Sequence, residues 1–188
     1  MSLKTGAQYI DSIRKMKTKA YVFGERVENI VDHPMLRTAC RNTAKLYDIV
    51  LEPKNRERLV KTSTLIPGEE IPFNLYLYES REWLVERIKI WRWLWCHIRG
   101  AQQVFSDSGN ATFSATYDCD QHYHTHYHER FKEFLKYVYR NDLVATASMT
   151  DVKGDRNKRP TQQSDPDMYL HIVDRTKDGI VVRGAKAH

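Results

Sequence analysis

The part of the chain best equipped for chemistry lies near its end. Met149-Thr150-Asp151-Val152-Lys153-Gly154-Asp155-Arg156 closes a predicted strand and gathers a hydroxyl, carboxylates, a glycine and two cations. Lys153 and Arg156 can face a phosphate, Arg with two-pronged geometry. Gly154 permits close approach of the backbone. With Lys158 and Arg159 they form a local basic group that suits a small anion, such as a nucleotide cofactor or a CoA ester. Spacing alone favours a polar turn after a strand.

A second conspicuous group is Gln121-His122-Tyr123-His124-Thr125-His126-Tyr127-His128. On a helix, His122/His126 and His124/His128 form i, i+4 pairs able to chelate zinc or nickel. No carboxylate or cysteine completes either pair at short range. A helix start that binds metal only adventitiously accounts for the pattern more simply. Cys40, Cys96 and Cys119 are far apart and form no CxxC, which argues against a disulfide framework or a cysteine zinc site and points to a reducing, cytoplasmic setting.

Bulk properties exclude several classes. The 188 residues, 41% hydrophobic and 29% charged, have a globular balance. The net charge of +6 is mild and scattered, so a nucleic-acid partner is not expected. Residues 88–98 are apolar but are broken by Lys89 and Arg92 and are too short to span a membrane, and the first residues carry no signal-type apolar run.

The elements positioning these groups divide the chain at about residue 140. Thr5 caps a first helix bearing Tyr9, Ile10, Ile13 and Met16 at helical spacing. Residues 20–23 form a short strand that turns at Gly24. A helix begins near Pro34 and runs to about Val50, with Leu36, Cys40, Leu46, Ile49 and Val50 as core contacts. Residues 54–74 are read as mostly loop. Ser80 caps an amphipathic helix with Trp83, Leu84, Arg87, Ile88, Trp91, Leu94 and Trp95 on its main face. Trp93 lies off that face, so another domain or subunit is expected to cover it. A further helix spans about 125–139. Beyond Asn141, residues 143–148, 168–173 and 180–183 read as strands, with a hairpin turn at Lys177-Asp178-Gly179 and a polar, flexible loop over 154–167. The expected class is α+β: a helical N-terminal domain, residues 1–140, followed by the start of an antiparallel β domain, residues 141–188.

Several segments resemble one flavoprotein family over nearly the whole chain. They are Thr5-Gly6-Ala7-Gln8-Tyr9-Ile10, Phe23-Gly24-Glu25-Arg26-Val27-Glu28-Asn29, Val31-Asp32-His33-Pro34, the Met149 to Arg156 segment, Asp165-Pro166-Asp167, and the final run from Asp178 to His188. The family is that of 4-hydroxybutyryl-CoA dehydratase/vinylacetyl-CoA isomerase, which shares its fold with the 4-hydroxyphenylacetate 3-hydroxylase large component. The resemblance implies an acyl-CoA-dehydrogenase-like fold with the C-terminal helical bundle absent here, FAD as cofactor, a homotetramer and a cytoplasmic enzyme. It implies that Met149, Thr150, Asp151, Val152, Lys153, Gly154, Asp155 and Arg156 contact the flavin, and that His188 begins a second flavin-contacting segment. Family chains are far longer, so this chain is expected to hold only the front of such an enzyme.

Where the dehydratase places a C-x-x-x-C pair that ligates a [4Fe–4S] cluster, this chain has Arg99 and Gln103, so no cluster is expected. The hydroxylase branch places Arg and Tyr at those positions and a His after the next strand. Arg99 matches the first, but Gln103 and Ala147 do not match the others. The resemblance therefore implies an enzyme acting on a hydroxyacyl- or enoyl-CoA. The alternatives are a reduced-flavin-dependent aromatic hydroxylase, taking a phenolic substrate and served by a flavin reductase, and a non-catalytic remnant.

Overall fold

A computed structural model describes residues 3–98, 103–145 and 148–187, with only the backbone described for residues 103–108. The chain divides into two compact units, Met1–Thr146 and Ala147–His188.

In the first unit, α1 (Gly6–Lys15) starts at a capping box. The Gln8 N–H donates to Thr5 Oγ1, and the Thr5 N–H donates to Gln8 Oε1. Gly6 lets α1 meet α2 (Arg37–Leu51) closely: its N–H donates to Asp48 Oδ1 at 2.7 Å, and a Cβ there would lie 2.6 Å from Ala44 O. Between the helices, β1 (Ala20–Val22) and β2 (Glu25–Val27) form a hairpin. Its two turn residues, Phe23 and Gly24, both have positive φ, as the twist of a two-residue hairpin demands. Pro34 belongs to the turn before α2 rather than to its first helical position, and α2 begins three residues later than Pro34. Leu36 and Ile49 are half-buried, while Thr43 and Tyr47, not among the expected contacts, are buried.

Residues 54–74 are not mostly loop. They carry the short helix α3 (Arg56–Leu59) and a second hairpin, β3 (Val60–Thr62) with β4 (Glu70–Pro72). Ser63 Oγ closes its connection by accepting the Leu65 and Ile66 N–H groups. These two hairpins mean that the first unit is not purely helical. Ser80 does cap α4 (Arg81–Ile98), its Oγ accepting the Trp83 N–H. Helix α5 (Gln103–His122) was not foreseen, and α6 (His128–Arg140) completes the unit.

Two clusters make its core. Leu46, Val50, Leu59, Val60, Phe73, Ile90, Trp91 and Leu94 join α2, α3 and α4. Ile66, Ile71, Leu75, Leu77, Leu135, Val138 and Tyr139 seat the second hairpin against α6. The buried face of α4 is Arg87, Ile90, Trp91, Leu94 and Ile98, which corrects the expected one: Leu84, Ile88 and Trp95 are exposed. Trp93 is half-buried against the first cluster, with the Arg58 guanidinium 5.5 Å over its ring. Arg87 is 1% exposed. Its guanidinium donates to Phe73 O at 2.7 Å and Asn74 O at 3.2 Å and lies over the Tyr78 ring, tying α4 to the chain leaving β4. Two α5 side chains continue the tie: Asn110 Nδ2 donates to Tyr76 O, and Ser114 Oγ accepts the Tyr78 N–H.

After α6 the chain passes through Asp142, buried and at φ 42. One carboxylate oxygen accepts the Lys4 N–H at 3.0 Å, and its carbonyl accepts from Tyr47 Oη and Lys4 Nζ. Residues 143–145, expected in a strand, belong to no strand.

Burial pushes the Asp142 carboxyl up to about 6, against the smaller opposing pull of the Lys4 N–H and charge. A carboxyl raised in the folded state binds its proton more tightly there, so its contribution to stability is full below about pH 4 and is lost as pH rises through about 6. Asp142→Asn keeps the acceptor and tolerates the left-handed backbone. We expect it to raise stability near pH 7.5 by on the order of 2–3 kcal/mol and to have little effect near pH 4. Thermal melts at the two pH values check this.

Candidate functional site

The second unit is built round one hairpin, β5 (His171–Thr176) with β6 (Gly179–Arg183). Lys177 and Asp178 make the turn, as the sequence indicates, and a bulge falls between Ile172 and Asp174. Residues 168–170, expected in a strand, precede β5 as a bend in which Tyr169 makes a single parallel bridge to Ala185. Gly184 makes that approach possible: at φ +124 its missing Cβ would lie 2.3 Å from Tyr169 O.

The end of the chain returns to the segment expected to contact a cofactor. Thr150 pairs antiparallel with Ala187. The Ala187 N–H donates to Thr150 O at 2.8 Å, and Thr150 Oγ1 donates to Ala187 O at 3.1 Å. Lys186 Nζ pairs with Asp151 Oδ1 at 2.6 Å. The Met149–Arg156 segment and the residues just before His188 therefore lie side by side. His188 itself is outside the described residues, as are Arg99 and Ala147, and the side chain of Gln103 is not described.

Four residues of the segment have contacts within the unit. The Thr150 hydroxyl donates to Ala187 O, and the Asp151 carboxylate pairs with Lys186 Nζ. The open side of Gly154 is filled from within: a Cβ would lie 2.5 Å from Tyr169 Oη and 2.7 Å from both Gln163 Oε1 and Met168 Sδ. Asp155 turns inward on its own loop, its Oδ1 accepting the Asn157 N–H and its Oδ2 lying 3.8 Å from Lys158 Nζ.

The 154–167 loop carries several internal hydrogen bonds. Gln163 bonds backbone atoms of Asp155 and Lys158, and the Asp165-Pro166-Asp167 turn is closed by the Asp167 N–H donating to Asp165 Oδ1. Asp167 then draws Arg183 and His171 to 3.4 and 3.6 Å. Gln163 and Tyr169 are the contributors that sequence reasoning did not single out, and it gave Gly184 and Lys186 no role beyond their place in the final run.

What remains outward is a consistent set. Met149 is 75% exposed, and Lys153 and Arg156 are exposed with no ion pair among the described residues, although Asp151, Asp155 and Asp167 all have cationic partners. Two unpaired cations flanking a fixed backbone suit a phosphate-bearing ligand.

The other candidates hold no such arrangement. The histidine run is not helical throughout: α5 ends at His122, His124 has φ 51 and α6 starts at His128, so neither i, i+4 pair shares a helix. His126 packs on Tyr127 and His128 on Tyr117. Among the described residues no group of three or more His, Cys, Asp or Glu is arranged to hold a metal. Cys40 is buried, and Cys96 and Cys119 are exposed on separate helices. No helix is long and apolar enough to cross a membrane among the described residues.

Residues 5–188 match the family described as 4-hydroxyphenylacetate 3-hydroxylase N terminal. The 4-hydroxybutyryl-CoA dehydratase/vinylacetyl-CoA-Delta-isomerase of Clostridium aminobutyricum is 45% identical over 188 residues, covering 99% of this chain and 38% of its own length. The 4-hydroxyphenylacetate 3-monooxygenase oxygenase component of Thermus thermophilus is 29% identical, covering 97% of this chain and 37% of its own. Among solved structures, an oxygen-tolerant archaeal 4-hydroxybutyryl-CoA dehydratase from N. maritimus matches with TM-score 0.85 and 37% identity, over 100% of this chain and 37% of that one. The oxygenase component of a 4-hydroxyphenylacetate 3-monooxygenase, complexed with FAD and 4-hydroxyphenylacetate, matches with TM-score 0.83 and 28% identity over 97% and 38%. The chain thus spans under two-fifths of the length of these relatives.

Gly154→Ala and Gly184→Ala should each break the packing round Tyr169, at roughly 1–3 kcal/mol for a forced side chain. Amide hydrogen exchange would report this as lost protection at Asp155 and Ala187, with helices of the first unit unchanged.

Proposed function

This chain belongs to the 4-hydroxyphenylacetate 3-hydroxylase family, and from that membership we propose that it is the front part of an FAD-dependent enzyme acting on a hydroxyacyl- or enoyl-CoA. The observation that carries the reading is the 45% identity to the dehydratase/isomerase over the whole chain, against 29% to the monooxygenase. Met149 to Arg156, with His188 beginning a second segment, is the flavin-contacting region. Lys153 and Arg156 attract and orient the cofactor's pyrophosphate, and the Thr150–Ala187 pairing holds the two segments together. The donor set fits FAD, since the cations are unpaired and the neighbouring acids are already neutralised. When bound, a flavin supplies an electron acceptor and donor beside the substrate carbons.

An exposed second unit gives a flavin one wall, so the remaining walls come from other elements, which we propose to be further domain structure and neighbouring subunits of a homotetramer. Arg99 and Gln103 cannot act as thiolate ligands, and we propose that no [4Fe–4S] cluster forms. That departure keeps a second reading alive: an aromatic hydroxylase using reduced flavin from a reductase, in line with the match to the monooxygenase that binds FAD and 4-hydroxyphenylacetate.

Protein expressed from its complete gene should release about one FAD per chain on denaturation, while iron and sulfide stay far below the ~4 of each that a cubane cluster contains. A 4-hydroxyacyl- or enoyl-CoA should perturb the bound flavin's visible spectrum, and 4-hydroxyphenylacetate should not. A spectral response to the phenol alone would favour the hydroxylase. Absence of flavin would reject both.

A further inference from the structure

A glutamine in a polar loop is ordinarily solvated, yet Gln163 is half-buried and spends its whole carboxamide on backbone. Its Oε1 accepts the Asp155 N–H at 2.9 Å. Its Nε2 donates to Asp155 O at 2.9 Å and to Lys158 O at 3.2 Å. Residue 155 thus has both its N–H and its C=O satisfied by one side chain, as an antiparallel strand partner would satisfy them. The same Oε1 lies against the bare face of Gly154. The clamp closes on the backbone between Lys153 and Arg156, two exposed cations with no ion pair among the described residues.

We propose that Gln163 is the positioning residue of the flavin-contacting segment: its carboxamide fixes the backbone of Gly154 and Asp155 so that Lys153 and Arg156 leave it in the directions a pyrophosphate requires. The proposal rests on the flavin reading above. Gln163 touches no cofactor itself in this role and acts through the loop.

The chemistry is specific to a group that both donates and accepts. Methionine matches the length and does neither. Ionised glutamate accepts but cannot donate, and it would face two carbonyl oxygens. Protonated glutamate recovers one donor and one acceptor, enough to bond both backbone groups of Asp155. The titratable groups around the position are Asp155 and Lys158 in the loop and Tyr169 across Gly154.

The test is FAD titration of the protein expressed from its complete gene, as wild type, Gln163→Met and Gln163→Glu, at about pH 5 and about pH 8, either side of a glutamate raised above its usual ~4.3. Relative to wild type at the same pH, Gln163→Met should weaken FAD binding at least ~10-fold at both values, about 1.4 kcal/mol. Gln163→Glu should match it at the higher pH and recover to within ~3-fold of wild type at the lower. A merely space-filling residue would not produce that pH profile. Methionine binding FAD as wild type does, or glutamate remaining equally weak at both pH values, would overturn the proposal and leave the flavin reading standing. A wild type that binds no FAD would overturn the flavin reading itself, and this proposal with it.

Discussion

Among the described residues of the second unit, no side chain is buried. A two-stranded hairpin without a core is marginal in water, so this unit is held by what remains: backbone pairing, short polar contacts and glycines that let chains approach. Thr150 against Ala187, Gly184 under Tyr169, and Gln163 round Asp155 each replace a piece of missing core. Ile172, Ile180 and Val182, which the register places on one face, are 43%, 54% and 48% exposed. Asp151, Asp155 and Asp167 have cationic partners within the unit, while Lys153 and Arg156 have no ion pair among the described residues.

The first unit obeys the opposite constraint. It has two apolar clusters, and its difficulty is satisfying the backbone where the chain runs from β4 to α4 through the interior. Arg87, Asn110 and Ser114 solve this by lending side-chain donors and acceptors to residues 73–78. A buried unpaired backbone carbonyl costs about 1–3 kcal/mol, so these polar residues are as structural as the leucines. Arg87 was legible on the main face of its helix, whereas Asn110 and Ser114 carried no such signal in the sequence.

Local chemistry was the legible part of the fold. The Thr5 and Ser80 caps, the turn at Gly24 and the Lys177-Asp178 turn depend on near neighbours and were readable from them, although Phe23, expected to end the strand, belongs to the turn. The resemblance located the segments that the structure lays side by side, Thr150 beside Ala187. Features set by distant contacts were not legible. Helix α4 is aromatic on several sides, so periodicity chose Leu84, Ile88 and Trp95 over the buried Ile90 and Ile98. The breaks at His122 and His128 dissolved pairs that a continuous helix would have created. Gly154 signals close approach in either setting, and only the fold shows that Tyr169, Gln163 and Met168 are what approach. Gln163 gave no signal, because a clamp on backbone atoms leaves no pattern in residue type.

The central claim is that Met149 to Arg156 and the chain end beside it contact FAD. Amide hydrogen exchange of the protein expressed from its complete gene, with and without saturating FAD, tests it most directly. The account predicts added protection concentrated in residues 149–156 and in the residues following Gly184. Protection that leaves both segments unchanged while appearing elsewhere would contradict it.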